Sequence, residues 1–516
     1  MTDLGHPLPR RTLFRAGALG AGALVVGGAT GAASPVLGLV SSRLELPSGV
    51  QTGDVTTRSA VLWARSSGPG RLIAQVGGRR ITGPWATAAT DFTAKIALDG
   101  LAPGREYAVR LSFEDEDGRL GESEVATFGT ASVKPAATSF VWTGDCCGQG
   151  WGINPDLGGL VGFRAMHATE PDFFLHSGDT VYSDGPIAET VIEPDGQVWR
   201  NLVTEEVSRV AQTLPDFRGR HRYTRLDDNV RAMAAEVPTI AQWDDHETTN
   251  NWYPGEVLDD PRYTTENRVD VLAAQARQAW QENMPIADPR AHRHDGGFAP
   301  ARIYRKIERG AHLDVFSLDM RTYKSPNTDG LEAEPTHILG TEQVDWLIRE
   351  VRRSKATWKV IANDLPLGLV VPDGPIAQEA VSNRDPGQPL GRELEIAAVL
   401  SAFKRYGVRN VVWLTADVHY CAAHHYDPAR AAFSDFDPFW EFVAGPIAAG
   451  TFGPNELDAT FGPEVVFSKY AAAPNESPRH GNQFFGHVAI DDDGLLTASL
   501  RDLAGAVLFS QELEPA

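Results

Sequence analysis

The sequence predicts an α/β protein with a small all-β module ahead of it, and three observations lead there. Residues from about Ser34 to Ser132 form short alternating apolar runs separated by turn residues. Beyond Ala137, strands alternate with helical stretches, and several of those strands end abruptly in polar strings that carry carboxylates. At 516 residues the chain exceeds the size at which a single core usually keeps growing, so two domains are expected. Apolar residues make up 42% and charged residues 22%, which suits a globular protein and argues against global disorder. The 47 basic and 68 acidic side chains give a net charge of −21, which disfavours nucleic acid as a partner. An anionic substrate must then be drawn in locally, by bound cations.

The first element is an address. Arg10-Arg11-Thr12-Leu13-Phe14-Arg15 precedes a glycine-rich, weakly apolar run that ends in small residues near Ala33. This resembles a twin-arginine export signal over residues 1–33, so the twin-arginine machinery is an expected partner and the mature chain is expected outside the cytoplasm. A stable transmembrane anchor is not expected, because the apolar stretch from Ala16 to Val26 falls short of the ~20 residues a spanning helix needs. Three cysteines, Cys146, Cys147 and Cys421, make no disulfide framework, although Cys421 could pair with one of the other two if their motifs meet.

The β module, residues 34–131, contains runs at Ser59–Ala64, Leu72–Val76, Lys95–Leu98 and Tyr107–Phe113. Leu101-Ala102-Pro103-Gly104-Arg105-Glu106-Tyr107 resembles the corner of a fibronectin type III-like sandwich, where a tyrosine hydroxyl returns to nearby backbone. A packing and spacing role is expected for it. After the linker Ala131–Ala137, the second domain spans 138–516. Its strands are predicted at Ser139–Thr143, Phe173–His176, Thr239–Trp243, Leu313–Leu318, Trp358–Ala362 and Val411–Thr415, and its helices at Arg268–Glu282, Thr341–Ser354 and Arg392–Tyr406. Three last β runs, Phe485–Ile490, Leu496–Leu500 and Ala506–Ser510, are expected to close a second sheet.

Four strings at strand ends carry the chemistry: Thr143-Gly144-Asp145-Cys146-Cys147, Gly178-Asp179-Thr180-Val181-Tyr182, Trp243-Asp244-Asp245-His246-Glu247-Thr248-Thr249-Asn250-Asn251, and Leu414-Thr415-Ala416-Asp417-Val418-His419. One carboxylate at a strand end is usually a cap or a turn former. Four such ends, if adjacent, gather more carboxylates than can stay ionised together without cations. Ligands collect at the carboxyl ends of parallel strands, and the oxygens of Asp179 and Tyr182 suit a hard cation. Asp179 has an oxygen for each of two metals, and two cations ~4 Å apart can stabilise charge on a phosphoryl group. His246 is a candidate acid or electrostatic stabiliser, His419 a candidate ligand, and Asn250 or Asn251 a neutral oxygen donor.

Together the four strings resemble the calcineurin-like metallophosphoesterases, and more closely the PhoD-type alkaline phosphatases. Leu46-Pro47-Ser48-Gly49-Val50-Gln51-Thr52-Gly53-Asp54, Val61-Leu62-Trp63 and Asp319-Met320-Arg321-Thr322-Tyr323 are similar to further landmarks of that family. The resemblance implies a two-sheet sandwich flanked by helices, and ferric iron beside calcium, with zinc and manganese as alternatives. Tyr182 would bind iron as tyrosinate and Asp179 would bridge the metals, with Asp245, Asn250, Asp417 and His419 completing the set. Asp145 stands where many relatives carry a cysteine; either it replaces that thiolate, or the register slips and Cys146 or Cys147 takes the position. Arg321 reads as a phosphate clamp or, equally, as a structural salt bridge, and Asn363 is a further ligand candidate.

The expected function is an exported phosphoesterase that hydrolyses phosphomonoesters and phosphodiesters at alkaline pH, through metal-activated water or hydroxide. Its substrate is expected to be a small-molecule or lipid phosphoester. Three alternatives stand beside it: a phospholipase D-like phosphodiesterase, a purple-acid-phosphatase-like monoesterase, and a noncatalytic metal-stabilised surface-binding protein.

Overall fold

Long apolar runs with a polar residue only at their ends are suited to strands buried on both faces, and the six predicted between Ser139 and Thr415 all form. A computed structural model describes residues 43–287 and 299–516, so the expected export signal lies outside the described residues. In the first sheet, Thr138–Thr143, Phe173–His176 and Thr239–Ala241 run parallel, with Thr143 and Ala241 both in register with His176. In the second, Leu313–Ser317, Trp358–Ala362, Val411–Thr415 and Phe439–Val443 run parallel. Phe140, Trp142, Leu175, Val315, Val360, Leu414 and Val488 fill the space between the sheets. Helices Val161–His167 and Asp228–Glu236 cover the outer face of the first sheet. Helices Thr341–Arg353 and Glu393–Arg405 cover that of the second.

The β module forms a sandwich with its own core, including Leu62, Leu72, Ile96, Val109, Leu111 and Phe113. The expected corner is present: the Tyr107 hydroxyl accepts the Ala102 N–H at 2.8 Å. One of the module's sheets, Val50–Gly53, Ala60–Arg65 and Thr93–Leu98, continues directly into the first large sheet, through the parallel pair Gly53 and Thr239. Two contacts reinforce the joint. Trp63 Nε1 donates to Glu282 O at 2.7 Å, and Gln51 Nε2 donates to Asn283 O at 2.6 Å, both at the end of helix Val269–Asn283.

Two expectations need correction. The last β runs, found at Phe484–Ile490, Leu496–Asp502 and Val507–Leu513, do not close the second sheet. They extend the first, with Phe484–Ile490 antiparallel to Thr138–Thr143. Alternation marks a strand but does not select its partner, and here Val488 and Ile490 are drawn into the same inter-sheet core as Phe140 and Trp142. Nor does Cys421 pair with Cys146 or Cys147. All three thiols are free, because Cys421 lies in the core between the sheets and the other two in the core outside the first.

His424, on strand Cys421–Tyr426, is buried with no partner for its Nδ1. Burial lowers its pKa from the ordinary 6.5 to about 4. Between those values the unfolded chain binds the extra proton, so stability is unaffected above pH 6.5 and falls as pH drops towards 4, by about 1.4 kcal/mol per unit. Chemical denaturation at pH 6.5 and pH 5 should therefore show His424→Leu losing about 2 kcal/mol less than the parent over that interval. Equal losses would mean that His424 is not held neutral.

Candidate metal centre

The parallel strands of both sheets deliver their carboxyl ends to one edge, and the four strings meet there. Three of these turns out of a strand require unusual backbone. Asp145, Asp179, Asp417 and His419 all have positive φ, between 50° and 64°, a region costly for residues with a Cβ and one that collects at functional sites. Gly178 makes the close approach of two strings feasible: a Cβ there would lie 2.5 Å from the Asp244 Cβ. Gly148 does the same for the phenol, since a Cβ would fall within 2.8 Å of three Tyr182 ring carbons.

Three sets of ligand atoms form as a result, each with its members within 4.8 Å of one another: Asp145, Asp179 and His419; Asp179, Asp245 and His246; and Asp244, Asp245 and Asp417. Asp179 belongs to the first two and Asp245 to the last two, so the sets form a chain. His419 donates from Nδ1 to the Gly450 carbonyl at 2.6 Å, which fixes the tautomer and leaves the Nε2 lone pair facing the Tyr182 hydroxyl at 2.7 Å and Asp145 Oδ1 at 3.6 Å. His246 is fixed from the other side: its Nδ1 meets Asp184 Oδ1 at 2.8 Å, its ring stacks on Tyr182 at 4.1 Å, and its backbone N–H donates to Asp179 Oδ1.

The electrostatics identify what this site lacks within the protein. Burial first, then Asp244, pushes the Asp145 carboxyl well up; burial, Asp245 and Asp244 do the same to Asp179; and burial, Asp244 and Glu379 to Asp417. Tyr182 is raised by burial, then by Asp179 and Asp145. Burial would also raise Asp245, but His246 and Arg321 outweigh it and hold that carboxyl low. For His246, burial lowers the pKa, but Asp184, Asp245 and Asp244 together carry it up to about 10. Both Asp145 oxygens and Asp417 Oδ2 are buried without a hydrogen-bond partner. Orphaned, mutually repelling oxygens of this kind suit cations, which oppose the upward shifts of Asp145, Asp179, Asp417 and Tyr182. The donor set of carboxylate, phenol and imidazole accepts hard and first-row ions.

Several sequence expectations can now be placed. Asp145 enters the cluster, whereas Cys146 turns away to line a cavity behind it. Asp179, Tyr182, Asp245, His246, Asp417 and His419 come together as expected. Asn250 does not join them. It is exposed, held by its backbone N–H on Asp184 Oδ2 at 2.9 Å, while Asn251 donates from its side chain to Asp373. Asn363 is turned to Glu441 and the Leu365 carbonyl.

Arg321 is corrected from clamp to support. It is wholly buried, with Nε on Asp244 and Nη1 on Glu379, and its Nη2 lies 3.7 Å from both Asp245 and Asp417. A guanidinium engaged in this way is not open to a substrate phosphate; it neutralises and orients the carboxylates. Four contributors were missed. Asp184 sits two residues past Tyr182, just beyond the second string. Glu247 accepts from the Thr180 N–H and hydroxyl, both at 2.6 Å, and from the Asp244 N–H, tying two motifs together. Glu379 and Lys324 complete the buried ion group and carry no local signal in sequence.

Residues 140–500 match the family described as PhoD-like phosphatase, and residues 32–132 match the PhoD-like phosphatase N-terminal domain. Alkaline phosphatase D of Bacillus subtilis (strain 168) is 26% identical over 437 residues, spanning 78% of this chain and 70% of that protein. A solved structure of PhoD is similar with a TM-score of 0.67 and 19% identity, over 92% of this chain and 93% of its own. Purple acid phosphatase PPD1 from yellow lupin (Lupinus luteus) seeds gives a TM-score of 0.56 and 13% identity, over 91% of this chain and 74% of its own.

Proposed function

Because the chain belongs to the PhoD-like phosphatase family, and is thus a phosphoric ester hydrolase, we propose that it is an exported, metal-dependent enzyme hydrolysing phosphomonoesters and phosphodiesters at alkaline pH. The observation that carries the metal-dependent reading is the position of Asp179, shared between two adjoining sets of ligand atoms. Asp145, Tyr182 and His419 would hold one cation with Asp179, and Asp245 and Asp417 the next. Iron and calcium are the expected ions. Bound there, the cations would supply positive charge to the phosphoryl oxygens and a nucleophile at working pH.

The chain's own groups do the rest. Asp184 keeps Nδ1 of His246 protonated and the ring fixed, which leaves Nε2 to give a proton to the departing ester oxygen. His246 and Asp417 are only partly buried, unlike the other clustered groups, and mark the side from which substrate reaches the site. Glu247 keeps the Asp179 and Asp244 turns together, and Arg321 holds Asp244 from beneath. We further assign residues 1–33 to a twin-arginine signal, 34–131 to a spacing module and 138–516 to the catalytic domain.

The test is a pair of initial rates, on p-nitrophenyl phosphate and bis-p-nitrophenyl phosphate, in calcium-containing alkaline buffer. Turnover of both, lost on chelation and restored by metal, is expected. The absence of turnover in protein shown to hold its metals would instead favour a noncatalytic binding protein.

A further inference from the structure

Behind the metal centre lies a second site, in a cavity of about 50 Å³ whose lining is mixed, with Phe163, Phe174, Val230 and Met233 on its apolar side. Its wall comes from strand Phe173–His176, the end of helix Leu214–Thr224 and helix Asp228–Glu236, with His176, His221, Thr224 and Arg225 as the principal polar groups. None of these belongs to the three ligand sets. Cys146 and Thr180, which directly follow Asp145 and Asp179 in the chain, also line it, so the cavity backs onto the metal-binding turns.

Arg225 is the feature that calls for a ligand. It donates to Gln51 Oε1 at 2.6 Å and lies over the Trp63 ring at 5.5 Å, and among the described residues no carboxylate pairs with it. Two buried imidazoles, His176 and His221, face its charge. Both are lowered to about 3, by burial first and Arg225 next. His176 Nδ1 is buried with no hydrogen-bond partner. An enclosed cation is normally paired, and neutral imidazoles beside it offer N–H donors but no charge. Water in the cavity would solvate the guanidinium without compensating it.

Size narrows the class. The volume exceeds the ~10–15 Å³ that one water requires, yet lies far below the ~300 Å³ of even small organic-ligand pockets. Arg225 and Thr224 are half-buried while His176 and His221 are buried, which marks the side of entry. We propose that this cavity binds a small monovalent inorganic anion of halide size, paired with the Arg225 guanidinium and contacted by His176 and His221. Such an ion brackets the turns that carry Asp145 and Asp179 from the face opposite the metals.

The test uses the full-length, metal-loaded protein in chloride-free gluconate buffer at constant ionic strength. Chloride and bromide should each raise the melting temperature along a saturating curve, and Arg225→Gln, which keeps a donor for Gln51, should abolish the rise. Crystals grown in bromide should give an anomalous peak inside the cavity, a readout that holds even if the variant does not fold. An equal rise in parent and Arg225→Gln, an empty cavity at saturating bromide, or a response to phosphate with none to bromide would each overturn the assignment.

Discussion

Asp179→Asn should cost about a thousandfold in kcat/KM, or about 4 kcal/mol of transition-state stabilisation, and should lower the metal content of the purified protein at the same time. The replacement is isosteric, and asparagine tolerates the positive φ found there, so the turn should form as before. Its Oδ1 can still accept the His246 N–H that now reaches Asp179. What disappears is the charge that two adjoining ligand sets share. The loss should therefore appear in metal analysis as clearly as in turnover. A variant that kept both its metals and its rate would remove Asp179 from the bridging position.

Arg321→Met should destabilise the fold by about 3–5 kcal/mol, because it leaves Asp244 and Glu379 buried opposite no guanidinium. Lysine should not rescue the loss, since a single ammonium cannot serve two carboxylates reached from different nitrogens of a planar fork. Adding Glu379→Gln to Arg321→Met should recover part of it, because one of the orphaned charges is then gone. Urea denaturation of the single and double variants decides the matter. A single variant as stable as the parent would mean that the buried ion group contributes nothing to folding.

These two residues also mark what could and could not be read from the sequence. Asp179 was legible because an apolar run, Phe173–His176, ends in glycine and a carboxylate, and such an ending is visible without any structure. Asp145 was legible for the same reason, and Asp245 and Asp417 because they follow apolar runs that end in a carboxylate without a glycine. The surroundings of Arg321 were not. Its partner Glu379 is 58 residues away, just past a two-residue hairpin strand, Ala377–Gln378, that has no apolar pattern. Helix Leu214–Thr224 was missed for a related reason: it buries Arg218, Arg220 and His221, so apolar periodicity fails to mark its inner face. Arg218 is paired with Glu282, and the two Nη groups of Arg220 donate to the Gly185 and Arg209 carbonyls. Asn250 misled because position within a motif does not fix exposure. The chain leaves strand Thr239–Ala241, turns through His246, and carries Asn250 to the surface.

The joint between Gly53 and Thr239 bears on how such a protein can be rearranged. A module attached only by a linker can be moved between proteins like a bead on a string. Here the module completes a sheet. Without it, strand Thr239–Ala241, which leads into the Asp244-Asp245-His246 turn, would become an outer strand with unpaired backbone groups open to any other extended chain. The front segment thus acts as a guard against self-association for the strand that feeds the Asp244-Asp245-His246 turn, and the two parts share one continuous sheet.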